Sequence, residues 1–532
     1  MNEFSKSWAD PWRITLFFLI AFGIRFLFLV FSPYDLSPDE AYYWDWSRRL
    51  DWCYYSKPPM VAWLMALSTF FWGDTEFGVR FPAMFLSNMT LLFLFMTASY
   101  LAGGRAGLMA AALVFASIGG AVSSYIMTID APLLFFWSVA LYALVRAICP
   151  GMGASGSNND GAVWWIMAAV ATGLGLLSKQ TMIALPAALF LFLLFSPGKR
   201  YLLRTGSPWL YLLLSLLFLL PLVVWNMHHG WITLEHTAHH FHSGSGAEKW
   251  FFNLKTFGEF FGAQLGIANP VAFILLLLSL VLILPGCIRQ RTKDGGEKWG
   301  RECWTACFLL FAGPLLLFLV MLLSLKQRVN ANWPAPFYLS GAVLLAWLWA
   351  GRPAGMFSPV LLKGCRFLKI GIVFGLAAIL LLYSMPAWLP NTSLYGTRKD
   401  PTVRIRGWHE LGAEAGRRIA GLPKPDRTFV ITLKRQTASE LAFYLPGQPV
   451  VYRWRQPGSR VKSQYELWPG PGGKMGWDAL IVIGKGRRLP KMLQACFREV
   501  RPMAPIEISM GNGEFRRYRL WHGIDLKDWP TP

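Results

Sequence analysis

Charge is what this sequence has least of, and acidic charge least of all. Of 532 residues only 15% are charged, with 29 Asp and Glu against 51 Lys and Arg. Soluble domains carry roughly a quarter charged residues, so a wholly soluble globular chain is excluded. The shortage of acids leaves a formal net charge of +22. Such a balance suits nucleic acid, anionic lipid head groups or phosphate ligands. Long apolar runs, with a mean hydropathy of +0.38, favour the last two and set nucleic acid aside. Cysteine is scarce too: there are seven, none in CxxC spacing, which excludes a zinc finger or a dithiol redox motif. Cys149, Cys287 and Cys365 fall near ends read as cytoplasmic, where thiols stay reduced. Cys53 and Cys496 fall in segments read as external, where a disulfide between them is left open. No internal repeat and no HExxH occur. The first apolar run, Ile14 to Phe31, lacks a small-residue cleavage site and reads as a retained span.

What the chain does have is a series of apolar runs close to the roughly 20 residues that cross a bilayer. They fall at 14–31, 82–102, 106–124, 131–148, 163–178, 181–196, 209–226, 268–286, 303–324, 335–350 and 369–388. The expected architecture is a polytopic α-helical membrane protein of about 11 transmembrane helices. The apolar stretch Met60 to Trp72 is short and reads as interfacial. Orientation follows the positive-inside bias. With the N-terminus inside, Arg105, Lys199, Arg200, Arg204, Arg289, Arg291, Lys363 and Arg366 all lie inside. An odd number of spans then places the tail outside.

The expected domains are 1–388, the membrane part, and 389–532, an extracytoplasmic tail. Two long external loops interrupt the first, at 32–80 and 226–266. In the tail, TFVITL (Thr428 to Leu433) and DALIVIG (Asp478 to Gly484) read as buried strands, and Gly407 to Gly421 as a helix. The tail is therefore expected to be a small α/β domain.

The first external loop carries the densest chemistry. SPYDLSPDEAYYWDWSRRLDWCYYSKPPMVAW (Ser32 to Trp63) gathers Asp39, Glu40, Lys57 and many aromatics just beyond a span. Pro38 suits a helix entry. Asp39 then reads in two ways, as the cap of that helix, with Glu40 favouring its dipole, or as a functional acid. Asp130, at the external end of its span, divides likewise between capping the helix from Ala131 and a functional role, since an ionisable group at a bilayer edge is costly unless solvated or paired. Lys57, Arg80, Lys179, Lys326 and Arg328 stand on the external side against the positive-inside bias. Each could be a snorkelling anchor; five on one face suggest a phosphate site. The second loop holds six of the eight His. His236 and His240, at i and i+4, have metal-compatible spacing, although loop histidines are more often solvated or hydrogen-bonded.

These segments resemble a family. SPDEAYYW is similar to the Asp-Glu motif of the first periplasmic loop in the dolichyl-phosphate-mannose–protein mannosyltransferase superfamily, whose bacterial branch includes the aminoarabinose lipid A transferases. YYSKPPMVAWL (Tyr54 to Leu64), GVRFPA (Gly78 to Ala83), TIDAPLLFFW (Thr128 to Trp137), LGLLSKQT (Leu174 to Thr181) and NWPAPFYLS (Asn332 to Ser340) follow in the expected order. HHGWITLEH also resembles a family segment. The resemblance implies the GT-C fold and transfer, with inversion, of a monosaccharide from a polyprenyl-phosphate donor to a lipid A-like glycolipid or other envelope glycan. Transfer to protein Ser or Thr, or a lipid-linked glycan flippase, are the alternatives; transporters tend to carry charges at the bilayer midplane and internal repeats. It implies catalytic roles for Asp39, Glu40 and Asp130, and donor phosphate binding by Lys57, Arg80, Lys179, Lys326 and Arg328. Tyr42, Tyr43, Tyr55 and His229 are candidates to line the substrate cavity. No cofactor is required, and a divalent metal is left open. A single chain is expected to act in the inner membrane of a bacterium, with its site and tail facing the periplasm.

Overall fold

The computed structural model describes residues 10–148, 158–242, 253–293, 300–350 and 358–530. Two compact units emerge. One comprises Met1–Val30, Phe81–Trp231 and Thr237–Tyr383, and the other Phe31–Arg80, Ile232–His236 and Ser384–Pro532. The first loop is thus grouped with the tail.

The first unit is helical. Every interval read as a span carries helix, but the helices differ in reach. Among the described residues six are long and apolar enough to cross a membrane: Pro11–Phe31, Glu76–Ala102, Asp130–Ile148, Ser207–His228, Glu302–Ser324 and Pro359–Tyr383. Leu254–Ile267 and Pro270–Ile283 are long and apolar enough only when taken together and are bent by 120° at their junction, as a broken span or a re-entrant loop is. Asn269 explains the bend: it precedes Pro270, which disfavours helix, and its side chain accepts from Val271 and Ala272 N–H to cap the new segment. The end of the second loop, read as 226–266, is helical from Leu254 to Ile267. The remaining intervals hold shorter apolar helices, including Gly104–Phe115, Gln180–Phe195 and Ala335–Trp349. Interval 106–124 is cut by Ser117, whose Oγ accepts from Gly120 N–H at 3.0 Å and starts a second short helix. Small residues let helices pack closely: a Cβ on Gly107 would stand 2.0 Å from Ser99 Oγ.

The second unit contains one five-stranded sheet, β1 Thr428–Thr432, β2 Val451–Arg453, β3 Asp478–Gly484, β4 Phe497–Gly511 and β5 Glu514–Leu526. The order is β2-β1-β3-β5-β4. β1 runs parallel to β2 and β3, while β5 is antiparallel to β3 and β4. β1 and β3 are buried almost throughout, which their unbroken apolar runs require. Helices Trp408–Ala420 and Arg435–Tyr444 belong to the same unit. The first loop contributes helices Pro38–Ser47 and Met60–Trp72 and buries its polar groups against tail residues. Leu36 N–H donates to Tyr444 Oη at 2.6 Å, Tyr55 N–H to Gln464 Oε1 at 2.7 Å, and Trp408 N–H to Asp35 Oδ2 at 2.7 Å. Cys53 and Cys496 are both buried as thiols outside any disulfide, so the disulfide left open by the sequence does not form.

Candidate active site

The helix Pro38–Ser47 is entered through a capping box. Ser37 Oγ accepts from Glu40 N–H at 3.4 Å, and Glu40 Oε2 accepts from Ser37 N–H at 2.8 Å. Ser37 is the cap, so the capping reading of Asp39 is overturned. One residue further along, Asp39 and Glu40 part company. Asp39 is half exposed, at 50%, with Oδ1 2.8 Å from the Arg435 guanidinium. Glu40 is wholly buried and accepts from Arg80 Nε at 3.0 Å and Nη2 at 3.2 Å. Arg80, only 2% exposed, also donates to the carbonyls of Tyr34 and Asp35. Glu40 and Arg80 therefore tie the loop together, and Asp39 is the acid this geometry leaves open.

The aromatics behind Asp39 are largely committed. Tyr42 is buried, its hydroxyl accepts from Gln464 N–H at 2.6 Å, and Arg435 lies 4.5 Å over its ring. Tyr43 is buried beside Trp46. Tyr55 Oη donates to Val461 O and lies 3.2 Å from His236 Nδ1. Lys57 is half-buried in the turn before Met60–Trp72, its carbonyl accepting from Tyr54 N–H at 3.2 Å. The His240 side chain lies outside the described residues. Among the described residues no group of three metal-ligating side chains occurs.

In the first unit Asp130 opens the helix Asp130–Ile148 and is 7% exposed. Its Oδ1 accepts from Lys179 Nζ at 2.7 Å and its Oδ2 from Asn332 Nδ2 at 2.6 Å. Three sequence-distant motifs thus meet at one carboxylate, whose oxygens serve those two side chains. Lys179 stands in extended conformation between two helical segments, which lets it reach back. Asn332 also lines a cavity of about 330 Å³ whose other walls are largely apolar, among them Leu113, Ile118, Leu134, Ala272 and Leu339. Lys326 and Arg328 are exposed in the segment after Leu316–Ser324. His229 stacks on Trp225 at 3.8 Å and pairs Nδ1 with its carbonyl, finishing the helix Leu220–His228.

Three site residues escaped the sequence reading. Arg435 opens the tail helix Arg435–Tyr444, to which no candidate role was given. Asp35 and Glu440 carry no motif signal. Burial pushes the Asp35 carboxyl up to about 6, against the pull of Trp408 N–H. Burial, then the Asp35 and Glu40 carboxylates, hold Glu440 well above the usual range, opposed by Arg516 and Arg80. Among the described residues neither Glu440 oxygen has a hydrogen-bond partner. Both groups bind protons more tightly folded than unfolded. The stability they contribute is complete below the unfolded values and is lost as pH rises through the folded ones. For Asp35, the displacement from 3.8 to about 6 is worth on the order of 3 kcal/mol. Glu440→Gln is expected to flatten the fall in melting temperature as pH rises above the ordinary carboxylate range. A fall as steep as in the parent protein would show that Glu440 is ionised throughout.

Comparison with known proteins shows what the chain is similar to. Residues 56–225 match the family model described as dolichyl-phosphate-mannose-protein mannosyltransferase. A lipid A galacturonosyltransferase of Rhizobium johnstonii is 26% identical over 460 residues, covering 85% of this chain and 87% of that one. An undecaprenyl phosphate-alpha-4-amino-4-deoxy-L-arabinose arabinosyl transferase of Pseudomonas aeruginosa is 26% identical over 68% of this chain and 64% of its own length. The crystal structure of ArnT from Cupriavidus metallidurans in the apo state superposes with a TM-score of 0.59 at 16% identity, covering 96% of this chain and 97% of that one. The structure of the same enzyme bound to undecaprenyl phosphate gives an equal score. With its motifs in this order, the chain has the GT-C fold of these membrane glycosyltransferases.

Proposed function

We propose that this enzyme moves a monosaccharide from a polyprenyl-phosphate donor to a lipid A-like or other envelope glycan, with inversion. The observation that carries the reading is the half-exposed Asp39 carboxylate, set on a buried Glu40–Arg80 scaffold. Asp39 takes the proton of an acceptor hydroxyl as its oxygen attacks the anomeric carbon and the carbon–oxygen bond to the lipid phosphate breaks. With a phosphate acceptor, already ionised, Asp39 instead orients it. Charge building on the leaving phosphate needs fixed cations. Lys57 is the first choice; Lys179, Lys326 and Arg328 are the other cations that the sequence offers for this role. The apolar cavity beside Asn332 suits the start of a polyprenyl chain. The undecaprenyl phosphate bound to ArnT and the lipid A acceptor of the galacturonosyltransferase support these two substrate classes.

Lys57→Ala is expected to weaken donor binding about ten- to a hundred-fold, as loss of one charge-assisted contact would, in a protein that still folds and inserts. Unchanged donor affinity and rate would remove Lys57 from the site. We place the protein in a bacterial inner membrane with the tail in the periplasm. A reporter fused after residue 388 is therefore expected to be active only on the outer side. Cytoplasmic activity there would reverse the placement of the site.

A further inference from the structure

The second unit holds a cavity of about 740 Å³ that the reaction just described does not use. Its lining includes nine Lys and Arg and no Asp or Glu. Four of the nine are already engaged: Arg435 with Asp39, Arg453 with Glu466, Arg517 with Glu507, and Arg516 with the carbonyls of Val403 and Arg406. The other five, Arg404, Lys434, Lys462, Lys485 and Arg487, have no ion-pair or side-chain hydrogen-bond partner among the described residues. They come from four separate places in the chain, from the turn before Trp408–Ala420 to the turn after β3. A solvated basic surface would not need to converge on one hollow, and crowding like charges costs stability. Phe515, 45% exposed, adds a ring to the wall, as binding cavities that combine an apolar face with a few charges do. Pro38 and Arg435 also line the cavity, so it borders the helix entry that presents Asp39.

We propose that this cavity binds a multiply anionic glycan head group, a sugar bearing two or more phosphates or carboxylates. Arg and Lys in this number match such a ligand, because each anionic oxygen pair can take a charge-assisted contact. Arg435 lies at the border, bonded to Asp39 and facing the cavity. The proposal rests on the reading that the acceptor is an envelope glycan, and names where its charges are held.

The test measures binding to the full-length protein in nanodiscs with no donor present, so it is independent of transfer. The probes are a bisphosphorylated glucosamine disaccharide without acyl chains, the same disaccharide without phosphates, and inorganic pyrophosphate. The bisphosphorylated sugar is expected to bind, the neutral sugar not, and pyrophosphate more weakly than the sugar. The double variant Lys485→Ala/Arg487→Ala, and separately Lys462→Glu from another wall, are expected to weaken binding about ten-fold or more without lowering the melting temperature. Parental affinity in both variants, or equal binding of the neutral sugar, overturns the proposal. Pyrophosphate binding as tightly as the sugar overturns its glycan part and leaves a free-phosphate site. Loss of binding here with transfer intact would remove the cavity from acceptor recognition and leave the proposed reaction standing.

Discussion

Asp39→Asn is expected to lower turnover with a hydroxyl acceptor by about two to four powers of ten, the usual loss when a general base is removed. The fold should hardly notice. Ser37, not Asp39, caps the helix, so the substitution costs at most the dipole contribution of a first-turn acid, about 0.3–1 kcal/mol. Arg435 loses its partner but is 26% exposed and can be solvated. Donor affinity should persist, because the phosphate is assigned to other residues. Steady-state rates and a melting curve on the same preparation separate the outcomes. A near-normal rate with a hydroxyl acceptor would defeat the base assignment. With a phosphate acceptor a smaller loss is expected, since only orientation is removed.

The next residue should answer in the opposite way. Glu40→Ala leaves Arg80 buried, with its guanidinium facing a void where two hydrogen bonds had been, and strips Ser37 N–H of its acceptor. Breaking a buried ion pair from one side costs about 3–5 kcal/mol. The expected result is a large drop in melting temperature and in yield. A Glu40→Ala protein that melts like the parent but does not turn over would return Glu40 to the chemistry, where the family resemblance first placed it. The contrast between these neighbours is itself informative: two acids adjacent in sequence, one open and one sealed, should separate function from folding.

That contrast was not legible in the sequence. DE after SP reads equally well with Asp39 or Glu40 as the working acid, and only the capping box decides which carboxylate turns inward. The apolar runs were legible because a bilayer imposes a length that shows in one dimension. Their interruptions were partly hidden, since Ser117 and Asn269 act through side-chain caps that window averaging smooths over. In the tail, β1 and β3 announced themselves as unbroken apolar runs. The hairpin of β4 and β5 did not, because FREVRPMAPIEIS and EFRRYRLWHG mix exposed charges into long strands joined by the tight turn at Gly511, Asn512 and Gly513, all at positive φ. The Asp130–Lys179–Asn332 cluster lay in three quoted motifs, yet their meeting depends on tertiary packing. Arg435 was farther still, since its partner is almost four hundred residues away and nothing local marks it.

The most direct measurement incubates the purified protein with a panel of polyprenyl-phosphate sugars and a lipid A-like acceptor and reads the acceptor by mass spectrometry. The predicted result is an acceptor heavier by one sugar residue, formed only with a polyprenyl-phosphate donor and reduced to trace by Asp39→Asn. An acceptor left unmodified across the panel, while the same protein carries lipid-linked sugar from one leaflet of a vesicle to the other, would contradict it.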